Sequence, residues 1–343
     1  MKKVLRESLF ELVQLCAPSG HEDRVATYLS KNLRQYVDEI EIDAIGNVIA
    51  YRRGRGNVSL ILMAHMDEVS LVVRDVDEYV WFERVGWINE KVLMGTAVNI
   101  IGRDGDVTGV ICSASAHFEE TGSGELWIDV GNRQESVAIG DPITFAPNAR
   151  WLDEEKRFLA SKSVDDRVGC AILLDVAKRL MGQDLNCNVY FVGSVREEVG
   201  SQGAAYISSR LKADFMIALD TAFANDAAFD RHKIVGLSEG PVLRKFQMSQ
   251  PVGSLYPAKV LYSNKELDEM LVAAAERLGV KLNPDIYART FTDTTIASEV
   301  NPALRCSTLM IPRRYSHSPI EVVDVRNAEM ASDILVDMLM NMP

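Results

Sequence analysis

Between Ser70 and about Leu159 the chain carries short β-type runs and hardly a helical stripe, whereas the segments on both sides alternate helical and strand patterns. The runs are Leu71 to Arg74, Tyr79 to Arg84, Ala97 to Ile101, Asp106 to Ser113, Leu126 to Val130 and Pro142 to Phe145, separated by Gly, Asp and Asn turns. A β-rich stretch flanked by α/β patterning reads as an insertion into a larger domain rather than a second bead on a string. The expected class is therefore α/β. Residues 1–69 and 160–343 form one discontinuous domain, and residues 70–159 form a small inserted β-rich domain.

Within the α/β halves, apolar runs end in residues that carry chemistry. Val58 to Ala64 runs into His65, Val189 to Gly193 leads to Glu197 and Glu198, and Phe215 to Leu219 ends in Asp220. Runs of this length bounded by turn residues read as buried strands, and the strand ends of an open α/β sheet are where ligands collect. Imidazole is a common metal ligand, and Asp67 shares His65's side if the strand continues, where it could fix the tautomer. Taken alone, His-x-Asp is equally the pattern of a hydrogen-bonded structural histidine. A last apolar run, Arg305 to Ile311, precedes Arg314, Tyr315, Ser316 and His317.

The helical segments add one more acidic position. Val168, Ala171, Ile172, Val176 and Leu180 make an apolar stripe, which puts Asp165 and Asp166 in or just before a first helical turn. Such acids are equally explained as partners of the helix dipole and as a buried carboxylate able to bridge two cations, with Arg167 orienting Asp166. Ser19 and Glu22 have capping-box spacing ahead of Val25, Tyr28, Leu29 and Leu33, so His21 reads as a helix-start residue. His117 and His232 read as surface residues. Val325 to Met340 reads as a terminal amphipathic helix.

Bulk properties narrow the function classes. Forty-nine Asp and Glu against thirty-seven Lys and Arg give a net charge of −12, which argues against nucleic acid or an anionic membrane as a partner. No apolar run approaches a membrane span, and Glu7 and Glu11 interrupt any secretory h-region. The five cysteines are scattered without C-x-x-C spacing, as expected of reduced core residues in a cytoplasmic protein.

His65, Asp165, Glu197, Glu198, Asp220 and His317 together have the chemistry of a two-metal hydrolase. Two imidazoles and a set of carboxylates suit zinc, cobalt or manganese, with one carboxylate free to bridge and one Glu left as base. Two cations roughly 3.5–4 Å apart would acidify a water and clamp a tetrahedral intermediate.

The ordered motifs Pro18-Ser19-Gly20-His21-Glu22, His65-Met66-Asp67-Glu68-Val69, Lys162-Ser163-Val164-Asp165-Asp166-Arg167, Arg196-Glu197-Glu198-Val199-Gly200, Ala218-Leu219-Asp220 and Arg314-Tyr315-Ser316-His317-Ser318-Pro319 carry a resemblance. They resemble the TET and glutamyl aminopeptidase family of co-catalytic metallopeptidases across nearly the whole chain. Gly86-Trp87 and Gly140-Asp141-Pro142 look like that family's β-rich domain. The resemblance implies a mixed sheet flanked by helices and split by a PDZ-like β insert. It implies two divalent ions, zinc or cobalt, with Asp165 bridging, Glu198 and His317 completing one site, and His65 and Asp220 the other. Glu197 is then the base and Asp67 orients His65. Short peptides are the implied substrates, and dimers building a hollow dodecamer the implied assembly.

Two departures from the family pattern stand out: Ser70 where Gly is usual, and Ser113-Ala114-Ser115-Ala116-His117 in place of a Pro-containing segment. Two other function classes compete. Paired acids also serve a glycoside hydrolase of endoglucanase type. A non-catalytic metal-dependent assembly protein would keep the ligands without needing Glu197.

Overall fold

The computed structural model describes residues 2–113, 125–224, 226, 235–249, 258–288 and 290–342. His117 and His232 lie outside them. Two helices, α1 (Lys2–Leu12) and α2 (Asp23–Leu33), precede β1 (Glu39–Ile42), β2 (Val48–Arg52) and β3 (Ser59–His65). Then come β4 (Ser70–Val76), β5 (Val80–Val85), β6 (Ala97–Gly102), β7 (Gly105–Ser113), β8 (Leu126–Asp129) and β9 (Pro142–Phe145). β10 (Arg150–Trp151), β11 (Phe158–Ser161), α3 (Val164–Leu180), β12 (Asn188–Ser194), α4 (Gln202–Arg210) and β13 (Phe215–Phe223) follow. The chain continues through β14 (Val242–Ser249), β15 (Lys259–Tyr262), α5 (Lys265–Leu278), β16 (Asn283–Tyr287) and α6 (Asp293–Val300). It ends with β17 (Arg305–Arg314), β18 (Glu321–Asp324) and α7 (Val325–Met340).

These strands make a 12-stranded mixed sheet and a closed barrel. The sheet runs β1-β2-β12-β3-β13-β17-β18-β11-β10, with β14, β15 and β16 joined through β17. Strands β12, β3, β13 and β17 are parallel neighbours. Because side chains alternate along a strand, β3 feeds both faces. Leu60, Leu62 and Ala64 join the main core with Leu5 of α1, Leu29 of α2, Ile172 of α3, Leu271 of α5 and Ile334 of α7. Ile61 and Met63 point the other way, to Ile207 of α4 and Ala297 of α6. Each such Leu, Ile or Met side chain, fully buried, contributes roughly 1.5–3 kcal/mol. The α/β class with helices on both faces follows from this.

The barrel is built from β4-β5-β8-β7-β6-β9. In β7, Val107, Gly109 and Ile111 point inward and alternate with exposed residues. At Gly109 a Cβ would meet Ile128 Cγ2 at 2.4 Å, so the close approach of two strands excludes a larger residue. The barrel strands end at Phe145, while β10 and β11 pair within the large sheet. Arg24 of α2 donates to both carboxylate oxygens of Asp106 at 2.7 and 2.8 Å, tying the barrel to the helical layer.

Several sequence expectations are corrected here. Ser19 and Glu22 form no capping box: Ser19 Oγ donates to Asp67 Oδ2 at 2.6 Å, and Glu22, the residue before α2, accepts from Gly20 N at 2.7 Å. His21 is exposed just before the helix. β13 continues four residues beyond Leu219, because it remains paired with β17 through Phe223 opposite Arg313, so Asp220 lies inside the strand. Apart from these corrections, Thr292 to Thr295 form the capped start of α6, and Gln247 Nε2 donates to the Thr292, Thr294 and Thr295 hydroxyls at 2.7–3.1 Å.

Candidate metal centre

Parallel strands end together, and the register puts Ser194 of β12 beside His65 of β3. Glu197 and Glu198 follow β12 by a few residues, Asp220 comes from β13, and His317 follows β17. Asp165 enters from the start of α3, where Asp165 and Asp166 depart from helical geometry (ψ 110° and 44°) and the peptide between them is cis. Ser163, Arg196, Ser201 and His317 all adopt left-handed φ values of 50–58°. Each such non-glycine residue costs roughly 1–3 kcal/mol, and they cluster where function concentrates.

The chain supports these loops with buried carboxylates. Asp67 Oδ1 accepts Glu197 N at 3.0 Å and its Oδ2 accepts Glu198 N at 3.1 Å, so one fully buried side chain fixes the Glu-Glu turn. The same Oδ1 lies 3.3 Å from His65 Nδ1. β3 stops at His65, so Asp67 reaches it from the following turn rather than along the strand. Glu321 accepts Asp165 N at 3.0 Å and His317 N at 2.9 Å, joining the helix start to the β17–β18 loop. Arg167 does not orient Asp166; its guanidinium donates to the Met66 and Asp67 carbonyls and to Glu68. Lys162 Nζ, fully buried, donates to both Glu68 oxygens at 2.7 and 2.8 Å and to the Leu15 carbonyl at 3.0 Å.

Among the described residues, ligand atoms of His65, Asp165 and Asp220 lie within 4.8 Å of one another, as do those of Asp165, Glu198 and His317. Asp165 belongs to both groups. A third grouping of the same spacing joins His65, Glu197 and Glu198. Asp165 divides its oxygens: Oδ1 is 3.2 Å from His65 Nε2, and Oδ2 is 3.3 Å from His317 Nε2. His317 Nε2 is also 3.4 Å from Glu198 Oε1. The structure thus brings together all six side chains singled out from the sequence, with Asp67 beneath them.

The electrostatics are those of crowded acids. Burial pushes Asp220 up to about 8, and the Asp165 charge adds to this. Burial likewise carries Glu198 up to about 7, against the pull of His317. Glu197 is raised well above the usual carboxylate range by burial, with Asp220, Glu198 and Asp293 adding against His65. Asp165 goes the other way, because Arg313, His317 and His65 outweigh its burial. Burial would lower both imidazoles. Hydrogen bonds to Asp165 and Asp67 hold His65 well above its ordinary value, and Glu198 and Asp165 lift His317 to about 9.

Two contacts were not visible in the sequence. His317 Nδ1 lies 2.8 Å from the Trp87 carbonyl, and as the donor there it turns Nε2 toward Asp165 and Glu198. Trp87 follows β5, so the barrel holds a residue of the large sheet's edge. Arg313, near the end of β17, donates to Asp165 Oδ2 and sits 3.4 Å from Glu321. Its place two residues past the apolar run that ends at Ile311 was the signal the sequence offered for it. The side chains open onto a cleft of about 800 Å³, also lined by Trp87, Phe223, Arg244, Tyr287 and Phe291.

Residues 46–334 match the family model of the M42 glutamyl aminopeptidases. The chain belongs to the M42 glutamyl aminopeptidase family. This M42 chain is 28% identical to the lysyl aminopeptidase of Pyrococcus furiosus over 94% of its own length and 93% of the relative's. The structure of aminopeptidase APDkam598 from Desulfurococcus kamchatkensis superposes with a TM-score of 0.90 at 28% identity, covering 99% of this chain and 95% of that one. The TET1 peptidase of Pyrococcus horikoshii shares the fold with a TM-score of 0.82 at 24% identity, covering 98% and 100%.

The donor set fits divalent ions. It holds only imidazole nitrogens and carboxylate oxygens, the mixture that suits zinc, cobalt or manganese. Buried carboxylates whose proton affinity is raised by one another carry negative charge that a cation relieves. Cys170 donates to the His65 carbonyl at 3.3 Å and is pushed up to about 12 by burial, so it stays a thiol beside the centre. No helix among the described residues is long and apolar enough to cross a membrane.

Proposed function

We propose that this chain is a dinuclear metallo-aminopeptidase that removes N-terminal residues from short peptides. The observation that carries the reading is the membership of Asp165 in two separate donor groups, one with His65 and Asp220, the other with Glu198 and His317. Those residues would hold two ions, zinc or cobalt. When bound, the ions would acidify a water and polarise the carbonyl of the first peptide bond.

The chain's own groups supply the proton transfers. Glu197 is 6% exposed, and its backbone is fixed by Asp67. Its proton affinity, raised by burial and neighbouring acids, suits it both to take and to give a proton. It accepts a proton from the water whose oxygen bonds to the carbonyl carbon. As the C–N bond breaks, it delivers that proton to the leaving amine nitrogen. Asp67 keeps His65 and the Glu197 turn in one geometry, and the Trp87 carbonyl does the same for His317.

The domain division we propose keeps the α/β unit discontinuous and makes the barrel the assembly domain. The Pyrococcus horikoshii relative assembles into a tetrahedron or a large octahedral shell, and by analogy we assign this chain a homododecamer built from dimers, located in the cytoplasm. The test is a panel of N-terminal aminoacyl substrates assayed after exhaustive chelation and after zinc or cobalt add-back. Chelation should abolish release of the N-terminal residue and the metals should restore it. Activity that survives chelation, or hydrolysis of soluble cellulose by the chelated protein, would sink the proposal.

A further inference from the structure

Arg313 is 4% exposed and carries no role in the proton transfers. Its guanidinium donates to Asp165 Oδ2, the oxygen that faces His317 at 3.3 Å, while Asp165 Oδ1 faces His65. Among the described residues its Nε and Nη1 are buried without a hydrogen-bond partner, and Nη2 makes its hydrogen bond to Asp165. Phe223, its cross-strand neighbour on β13, lies 5.6 Å below the guanidinium, and Glu321 is 3.4 Å away. The two halves of the centre therefore differ in direct contact with a cation, since Arg313 acts on Asp220 only through space. Among the described residues no Arg or Lys is bonded to Asp165 Oδ1 on the His65 side, whereas Oδ2 on the His317 side is shared with Arg313.

We infer that Arg313 is a built-in counter-cation that makes the ion position formed by His317, Glu198 and Asp165 Oδ2 the weaker and more exchangeable of the two. The inference rests on the two-ion reading of the site. If Arg313 stays on Asp165 when an ion arrives, two positive centres share one oxygen across a buried, weakly screened gap. If it withdraws toward Glu321 and the Phe223 face, the ion must first displace a buried charge-assisted hydrogen bond. Either way the second ion binds against a cost that the first does not meet. The same contact neutralises Asp165 when ions are scarce, so the centre tolerates partial loading.

Equilibrium dialysis of the metal-stripped full chain against zinc, with elemental analysis, tests this. Wild type should show two dissociation constants separated by at least about tenfold. Arg313→Gln should tighten the weaker constant by about tenfold or more and leave the tighter within about threefold, while Arg313→Lys, which keeps the charge, should stay near wild type. If the metal-free Gln variant does not fold, zinc release from loaded protein to a chromophoric chelator gives the same comparison, with one ion expected to leave more slowly than from wild type. Unchanged constants in Arg313→Gln would overturn the inference while leaving the two-ion reading intact. Loss of the second ion would also overturn it, since Arg313 would then be supporting the site, and so would equal tightening in the Lys variant. A wild type that never binds more than one ion would instead remove the reading beneath it.

Discussion

The barrel and the C-terminal edge of the large sheet spend their buried positions differently. The barrel core is Val, Leu, Ile and Phe, and the ion pairs of Arg74 with Glu83 and Glu125 stay at the solvent surface. At the sheet edge Lys162, Arg167, Asp67, Asp165, Glu197 and Arg313 are all buried, and several neighbours adopt left-handed φ. Surface pairs contribute little to stability, whereas buried charges lose hydration that only good partners restore. The contrast teaches that the barrel is shaped for packing, while the edge keeps a concentration of charge that packing alone would not select. The one direct hydrogen bond described between them at the site, His317 to the Trp87 carbonyl, is where the packed region positions the charged one.

The sharpest break of that contrast is Glu197→Gln. Turnover should fall by roughly 10²–10⁴, with ion content by elemental analysis unchanged. Loss of ions instead would mean that Glu197 and Glu198 have exchanged roles. Asp67→Asn comes next: it weakens the support for His65 and the Glu-Glu turn, and ion affinity or activity should drop about 10–100-fold. A variant that binds ions and turns over like wild type would show that the buried carboxylate serves only the backbone.

A pH series on metal-stripped protein separates the regions further. Asp220 at about 8 and Glu198 at about 7 are acids whose folded values lie above their ordinary ones, so the folded state holds extra protons from about pH 4 upward. Their effect is a loss of stability as pH rises through that window. His317, raised to about 9, contributes stability below its ordinary value near 6.5 that disappears as pH rises through 9. All three act in one direction, so the melting temperature of stripped protein should fall steadily from pH 5 to pH 9, and zinc should flatten the slope. A rising profile would contradict the charge balance described. The smallest effect on turnover belongs to the barrel. Ile111→Ala should cost about 2–5 kcal/mol of barrel stability by denaturant titration, with turnover per folded molecule unchanged.

Much of this architecture was legible because hydrophobic periodicity is a local property. The runs ending at His65 and before Glu197 are strands, Val325–Met340 is a helix, and the stretch from Ser70 onward pairs with itself. What failed depended on partners far along the chain. Asp220 sits within β13 because β17 extends beside it, and Ser19 turns away from its expected cap because Asp67 is the better acceptor. The start of α6 is likewise fixed from a distance, because Gln247, 45–48 residues away in sequence, donates to the Thr292 and Thr295 hydroxyls. Arg167 faces the Met66–Glu68 turn for the same reason, since α3 crosses beneath β3.

The sequence by itself determined the class of fold, the separation of a β-rich unit from an α/β one, and which residue types stand at strand ends. These follow from side-chain periodicity and turn chemistry, which act over a few residues. Only the tertiary structure decided that the strand ends converge, that Asp165 turns one oxygen toward each histidine, and that Arg313 rests on one of those oxygens. Convergence comes from parallel strand order, and the direction of a carboxylate oxygen is set by contacts among segments a hundred or more residues apart. No local pattern encodes either.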